Sequence, residues 1–188
     1  MRRAISALCA AMALALTAAA ADAARPAPPL DFISHTGDRV KLSDLKGKVV
    51  VLEFLLTHCP SCKNSARILS GLKREYAAKG LEVLGLAIDD AAGPKIPQFV
   101  RETGANFPIG VYDHVKAREY LQYSVMRQMM MPQVAFVDRQ GVLREQHGGD
   151  DPWMGPAMEE TNIRRLVEKL LAERAAPAKA PAKAPAKK

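Results

Sequence analysis

The stretch from Lys48 to Ile88 limits what this chain can fold into more than any other part of it. Lys48–Leu56 (KVVVLEFLL) is a nearly unbroken β-branched and apolar run, the pattern of a strand covered on both faces. From Cys59 to about Lys79, Ile68, Leu69, Leu72 and Tyr76 recur at helical spacing, and Gly80 follows as a C-terminal cap. Leu81–Ile88 (LEVLGLAI) is a second apolar strand. Strand, helix and strand in immediate succession make a βαβ unit with parallel strands and a right-handed crossover.

Beyond this unit the alternation continues. Ile96, Phe99, Val100 and Thr103 share one face of a short helix, and Asp113–Leu121 reads as another. Gln133–Asp138 and Val142–His147 are strands joined by Arg139-Gln140-Gly141, the composition of a tight hairpin. Ile163, Leu166, Val167, Leu170 and Leu171 give the last helix its apolar stripe. One domain is expected over residues 30–173.

The two ends have different compositions. Arg2 and Arg3, the apolar run Ala4–Ala20 and the small-x-small sequence Ala21-Asp22-Ala23 predict a cleaved export signal over 1–24. A retained membrane anchor is the other reading. Residues 25–29 read as a Pro-rich linker. Residues 174–188, almost wholly Ala, Pro and Lys, are expected to form a disordered cationic tail that could touch an anionic membrane or cell-wall polymer. The net charge of +7 lies in these ends, because residues 30–173 carry 19 Lys/Arg and 19 Asp/Glu. That distribution argues against nucleic acid as a partner.

Removing the signal removes Cys9 and leaves Cys59 and Cys62, a C-x-x-C pair in an exported chain. In an oxidising compartment such a pair forms a disulfide or binds a metal. A bridge closing so short a loop constrains the unfolded chain little, so chemistry is the better explanation. In THCPSCKNS, Cys59 falls where the strand ends and the helix begins. A helix N-terminus favours a thiolate, the form that attacks disulfides. Cys62, one turn further and more buried, can resolve a mixed disulfide. Pro60, which has no N–H to leave unpaired, suits the first turn.

On Cys59-Pro60-Ser61-Cys62, on Leu42-Ser43-Asp44-Leu45-Lys46-Gly47-Lys48 and on Met131-Pro132 before VAFVDRQG, the chain resembles the thioredoxin superfamily. It is most similar to the exported TlpA/ResA-type, redoxin-like thiol–disulfide oxidoreductases. The resemblance implies an α/β thioredoxin-like fold, with a central mixed sheet flanked by helices and an N-terminal strand or hairpin extension. It implies exchange of a dithiol with cysteine-containing envelope proteins, apocytochromes among them, and an upstream electron donor. It further implies a cis Pro132 beside the active-site cysteines, with Met131 offering backbone hydrogen bonds to the partner and His58, Pro60 and Ser61 on the partner-facing surface. A monomer is expected, and no cofactor is implied.

Two residues beside the cysteines carry alternatives. Glu53 lies within the apolar run, where family members can hold a buried acid. There it could shuttle protons for Cys62; strand alternation could instead turn it to a solvated edge. His58 stands where most of the family has Trp. It could stabilise a thiolate, bind a metal or be a plain loop residue.

Other family readings compete. LLTHCPSC is also similar to Sco-type copper chaperones, with His147 or His114 as third ligand and Met126, Met129, Met130 and Met131 as soft donors. Those proteins place three residues between their cysteines, where this chain has two. A peroxiredoxin-like peroxidase is a third reading, although Thr57 stands one position too close to Cys59 for that family's frame. A binding module with an inert disulfide is the fourth. The direction of electron flow is not legible in the sequence, and resemblance alone favours a reductase.

Overall fold

A computed structural model describes residues 24–173. Except for Ala24, the expected export signal lies outside the described residues, as does the expected tail. The chain forms a mixed six-stranded sheet in the order β1-β8-β7-β4-β5-β6. Its strands are β1 (Arg25–Pro26), β4 (Val49–Leu55), β5 (Leu81–Ala87), β6 (Ile109–Val111), β7 (Gln133–Val137) and β8 (Val142–Gly148). A separate hairpin pairs β2 (Asp31–Ile33) with β3 (Arg39–Lys41). The helices are α1 (Pro60–Tyr76), α2 (Ile96–Thr103), α3 (His114–Tyr120) and α4 (Glu159–Ala172).

The unbroken apolar run of β4 is explained by its place inside the sheet. It lies between β5, to which it is parallel, and β7, to which it is antiparallel. All seven of its residues are buried. Alternation sends Val49, Val51 and Leu55 to one face, beneath α1, α2 and α4. Val50, Leu52 and Phe54 go to the other face, beneath α3 and the β2–β3 segment. Burying each such side chain contributes on the order of 1.5–3 kcal/mol.

Helix α1 ends where the sequence places its stop. A 3₁₀ turn at Ala77–Lys79 leads into Gly80, whose φ of 94° is the left-handed conformation that glycine adopts without steric cost. In the β7–β8 turn the Asp138 carboxylate accepts the amides of Gln140 and Val142, at 2.9 and 3.0 Å. The β2–β3 hairpin docks through Phe32, which packs against Gly110. A Cβ there would lie 2.2 Å from the Phe32 ring.

The expected linker at 25–29 is different in the structure. Arg25 and Pro26 pair with Leu143 and Val142 at the sheet edge. The Arg25 guanidinium donates to the Tyr120 carbonyl at 2.8 Å, and the Ala27 amide to the Gly141 carbonyl at 2.9 Å. Proline is tolerated there because an edge strand leaves one row of amides unpaired.

Candidate active site

The two cysteines share one helix terminus. Cys59 is the N-cap of α1, with extended backbone (φ −78°, ψ 122°), and Pro60 occupies the first turn. The Cys62 amide donates to the Cys59 sulfur at 3.4 Å, so the sulfur takes the place an Asp or Ser oxygen occupies in an ordinary cap. No acidic residue in the first turn competes for the positive end of the helix. Both thiols are free, Cys59 partly exposed and Cys62 buried. Burial is the main reason the Cys62 thiol lies far above its usual range, and the charges of Glu53 and Cys59 add to it. Cys62 is therefore a neutral thiol. Pro60 and Ser61 are exposed on the turn between them.

Glu53 does not turn to a solvated edge. It is fully buried, opposite Gly85 of β5 and Val134 of β7, and neither carboxyl oxygen has a hydrogen-bond partner among the described residues. Burial drives its carboxyl well above the usual range, and the Glu159 carboxyl drives it further. Glu53 is thus a buried acid that holds its proton more tightly than an exposed carboxyl does.

Sequence reasoning missed Asp89, the residue just after β5. Its buried carboxylate accepts the Thr57 amide at 3.0 Å and the Thr57 hydroxyl at 2.7 Å, which ties the approach to Cys59 onto the neighbouring strand end. Burial pushes this carboxyl up, but the Thr57 bonds outweigh it and leave it below its ordinary value. His58 projects outward, 70% exposed, with Nδ1 4.0 Å from Asp89. The available signal was the acid pair Asp89-Asp90 directly after an apolar strand.

The Met131–Pro132 peptide is cis. Met131 and Cys59 both pack against the core cluster that contains Cys62. The Met130 carbonyl accepts from the Gln133 side chain at 2.6 Å and the Gly149 amide at 3.1 Å, which anchors the loop. Gly149 passes so close that a Cβ there would lie 2.4 Å from the Met131 carbonyl oxygen. Beside this loop lies an open cleft of about 500 Å³, lined by Gln122, Tyr123, Arg127, Gln133 and Asp150 among others.

The proposed copper ligands do not converge. Met126 is 90% exposed and Met130 44%, whereas Met129 packs into the core on the α3 side. His147 lies on β8, beyond Val134 from Glu53, where its Nδ1 is 2.6 Å from Asp151 and its ring stacks on Trp153. His114 begins α3. No three His, Cys, Asp or Glu residues are grouped to hold a metal ion among the described residues. Thr57, the residue of the peroxidase reading, gives its hydroxyl to Asp89.

A dithiol opening the helix of a βαβ unit, with a cis-proline loop packed on the same core, defines a protein of the thioredoxin superfamily. Residues 20–166 match the Redoxin family, to which the chain belongs. It is similar to the thiol–disulfide oxidoreductase ResA of Oceanobacillus iheyensis, 36% identical over 88 residues, covering 46% of this chain and 45% of that one. ResA of Bacillus thuringiensis is 31% identical over 87 residues, 46% of this chain and 50% of the relative. The chain thus spans about half the length of the curated relatives it matches. Among solved structures, a thiol:disulfide interchange protein DsbE from Chlorobium tepidum, described there as putative, superposes with a TM-score of 0.62 at 27% identity. That match covers 77% of this chain and 96% of that one.

Proposed function

We propose that this chain is a thiol–disulfide oxidoreductase that reduces disulfides in envelope proteins. The observation that carries this reading is the pairing of a partly exposed Cys59 sulfur at a helix N-terminus with a buried, protonated Cys62 one turn behind it. The Cys59 thiolate attacks one sulfur of the partner's disulfide; a mixed disulfide forms and the other partner sulfur leaves as thiolate. Cys62 then gives up its proton and attacks the Cys59 sulfur. The Cys59–Cys62 disulfide forms, the second partner sulfur leaves, and two electrons have passed to the partner. An upstream dithiol donor resets the pair.

Glu53 serves the second step. Its presence helps to hold the Cys62 thiol above the usual range, and it is a fully buried carboxyl able to exchange a proton in a dry site. Pro132 and Met131 support the partner chain, since no backbone hydrogen bond occupies the Met131 amide or carbonyl among the described residues. His58, Pro60 and Ser61 form the surface the partner meets first. The N-terminal composition supports export, and no helix among the described residues is long and apolar enough to cross a membrane.

The test is turnover of insulin disulfides by the reduced protein. Cys59→Ser should abolish it, and Cys62→Ser should accumulate covalent partner complexes identifiable by mass spectrometry. Undiminished turnover in Cys59→Ser would overturn the proposal.

A further inference from the structure

The exchange reaction leaves one feature of the active-site end of the sheet without a role. The turn after β8 runs Gly148-Gly149-Asp150 and passes directly behind the Met130–Met131 backbone. The Gly149 amide donates to the Met130 carbonyl at 3.1 Å, and a Cβ on Gly149 would lie 2.4 Å from the Met131 carbonyl oxygen. Two successive glycines permit that approach, but glycine is also the residue that orders least readily. The rigidity of the turn therefore has to come from the residues that flank it. On one side is His147, the last side chain of β8 before the glycines; on the other are Asp151 and Trp153.

We propose that His147 is a positioning residue for thiol–disulfide exchange: it closes the Gly148–Pro152 turn onto the Met130–Met131 backbone and so fixes the strand that receives the partner's chain. The inference rests on the exchange reading above, in which Met131 supports that chain. His147 Nδ1 lies 2.6 Å from Asp151 Oδ2, and because a carboxylate can only accept, Nδ1 donates. The other Asp151 oxygen accepts the Trp153 amide at 2.8 Å, and the Asp151 amide donates to the Gly148 carbonyl at 2.9 Å. The imidazole lies flat on the Trp153 indole, with centroids 3.8 Å apart and planes 5° from parallel. Trp153 is itself fastened to α4, where the Asn162 side chain donates to its carbonyl at 2.9 Å. Both edges of the turn are thus held, one by a hydrogen bond and one by a stacked pair.

His147 has no direct part in the chemistry. Val134 separates it from Glu53 in the sheet, which puts it two strand spacings, or about 10 Å, from that acid. Its effect reaches the reaction only through the loop. The Met130 carbonyl accepts from Gly149 on one side and from the Gln133 side chain, at 2.6 Å, on the other. Releasing the turn removes the first of these anchors and leaves the Met131 backbone free to drift. A small disulfide that meets only Cys59 is indifferent to that drift, whereas a polypeptide that must lie along Met131 is not.

The experiment compares two substrates of the full chain: insulin, reduced with dithiothreitol as electron donor, and a chromogenic aromatic disulfide in excess, whose first released thiolate reports attack by Cys59. His147→Phe keeps a ring on Trp153 and removes the donor; Asp151→Ala removes the acceptor. In both, KM for insulin should rise roughly tenfold with kcat within about twofold of the parent, the mark of lost binding rather than lost chemistry. The aromatic disulfide should react within about twofold of the parental rate. The double variant should be no worse than either single one, because both remove the same contact. His147→Asn, which can place an amide N–H near the Nδ1 position, should recover part of the insulin KM. Trp153 is the one tryptophan of the chain, and quenching of its fluorescence by acrylamide should increase in Asp151→Ala as the turn loosens. If His147→Phe folds poorly, Asp151→Ala and His147→Asn decide the matter by the same KM. A parental insulin KM in the folded variants, or equal losses on both substrates, overturns this inference and leaves the exchange reading standing. Parental insulin turnover and aromatic thiolate release in Cys59→Ser overturn the exchange reading itself.

Discussion

Asp89 at the end of β5 holds Thr57 by both its amide and its hydroxyl, at 3.0 and 2.7 Å, and so fixes the residue two positions before the exposed cysteine. Removing the carboxylate leaves both Thr57 donors unpaired in a buried position. Asp89→Ala should cost about 1–3 kcal/mol in urea unfolding. The pH dependence has a definite sign. The folded carboxyl lies below its ordinary value of 3.8, so its contribution is present above that value and is lost as pH falls through the lower folded one. Parent and Asp89→Ala should therefore differ by a constant amount from pH 5 to 8 and converge only in strong acid.

Glu53 has the opposite sign. Its folded carboxyl is raised, so the stability tied to its proton is complete below the ordinary value of 4.5 and is lost as pH rises from there through the folded value. Each pH unit in that window costs about 1.4 kcal/mol. Glu53→Gln cannot titrate, and its stability relative to the parent should climb from pH 4.5 towards neutrality in denaturant melts of the reduced proteins. Parallel stability curves for parent and variant would show that the acid is not buried as described.

His58→Ala should change little. The imidazole is exposed and 4.0 Å from the Asp89 carboxylate, and a pair at that distance with one partner in solvent contributes at most about 1 kcal/mol. Insulin reduction should persist within a few-fold. Complete loss of turnover would give this residue a direct part in the chemistry.

Gly149→Ala tests the loop before Pro132. The added Cβ would fall 2.4 Å from the Met131 carbonyl oxygen, a backbone atom that cannot move without shifting the loop. A stability loss of about 1–3 kcal/mol is expected, with a larger fractional loss against a protein disulfide than against a small one. Only the protein partner would use the Met131 backbone. Equal losses on both substrates would place the damage at the cysteines instead.

Much of this was legible along the chain. The apolar run of β4, the helical stripe of α1 and the Gly80 stop are local patterns, each set by neighbours a few residues away, and the structure places them within a residue or two of expectation. The C-x-x-C at the strand–helix junction is local in the same sense. Strands β1 and β6, of two and three residues, are too short to carry any period, and they form because β8 and β5 offer open edges. From the sequence, Glu53 could be read as either solvated or buried. Only the positions of β5 and β7 on either side of β4 decide that no water reaches it.

Glu159 and Ser65 show where local reasoning stops. An acid in the first turn of a helix is ordinary capping chemistry, and a serine within a helix is unremarkable. Both are buried because α1 and α4 pack on the same face of the sheet, where the Asn64 side chain donates to Glu159 at 2.9 Å. The sequence by itself determined the strand–helix–strand unit and the reactive pair, because hydrophobic period and helix-terminus chemistry act over a single turn or strand. The burial of Glu53 and of Glu159 and the clamp of Asp89 on Thr57 were decided by tertiary structure alone, because desolvation and charge coupling depend on which distant segments exclude water from the same few ångströms of space.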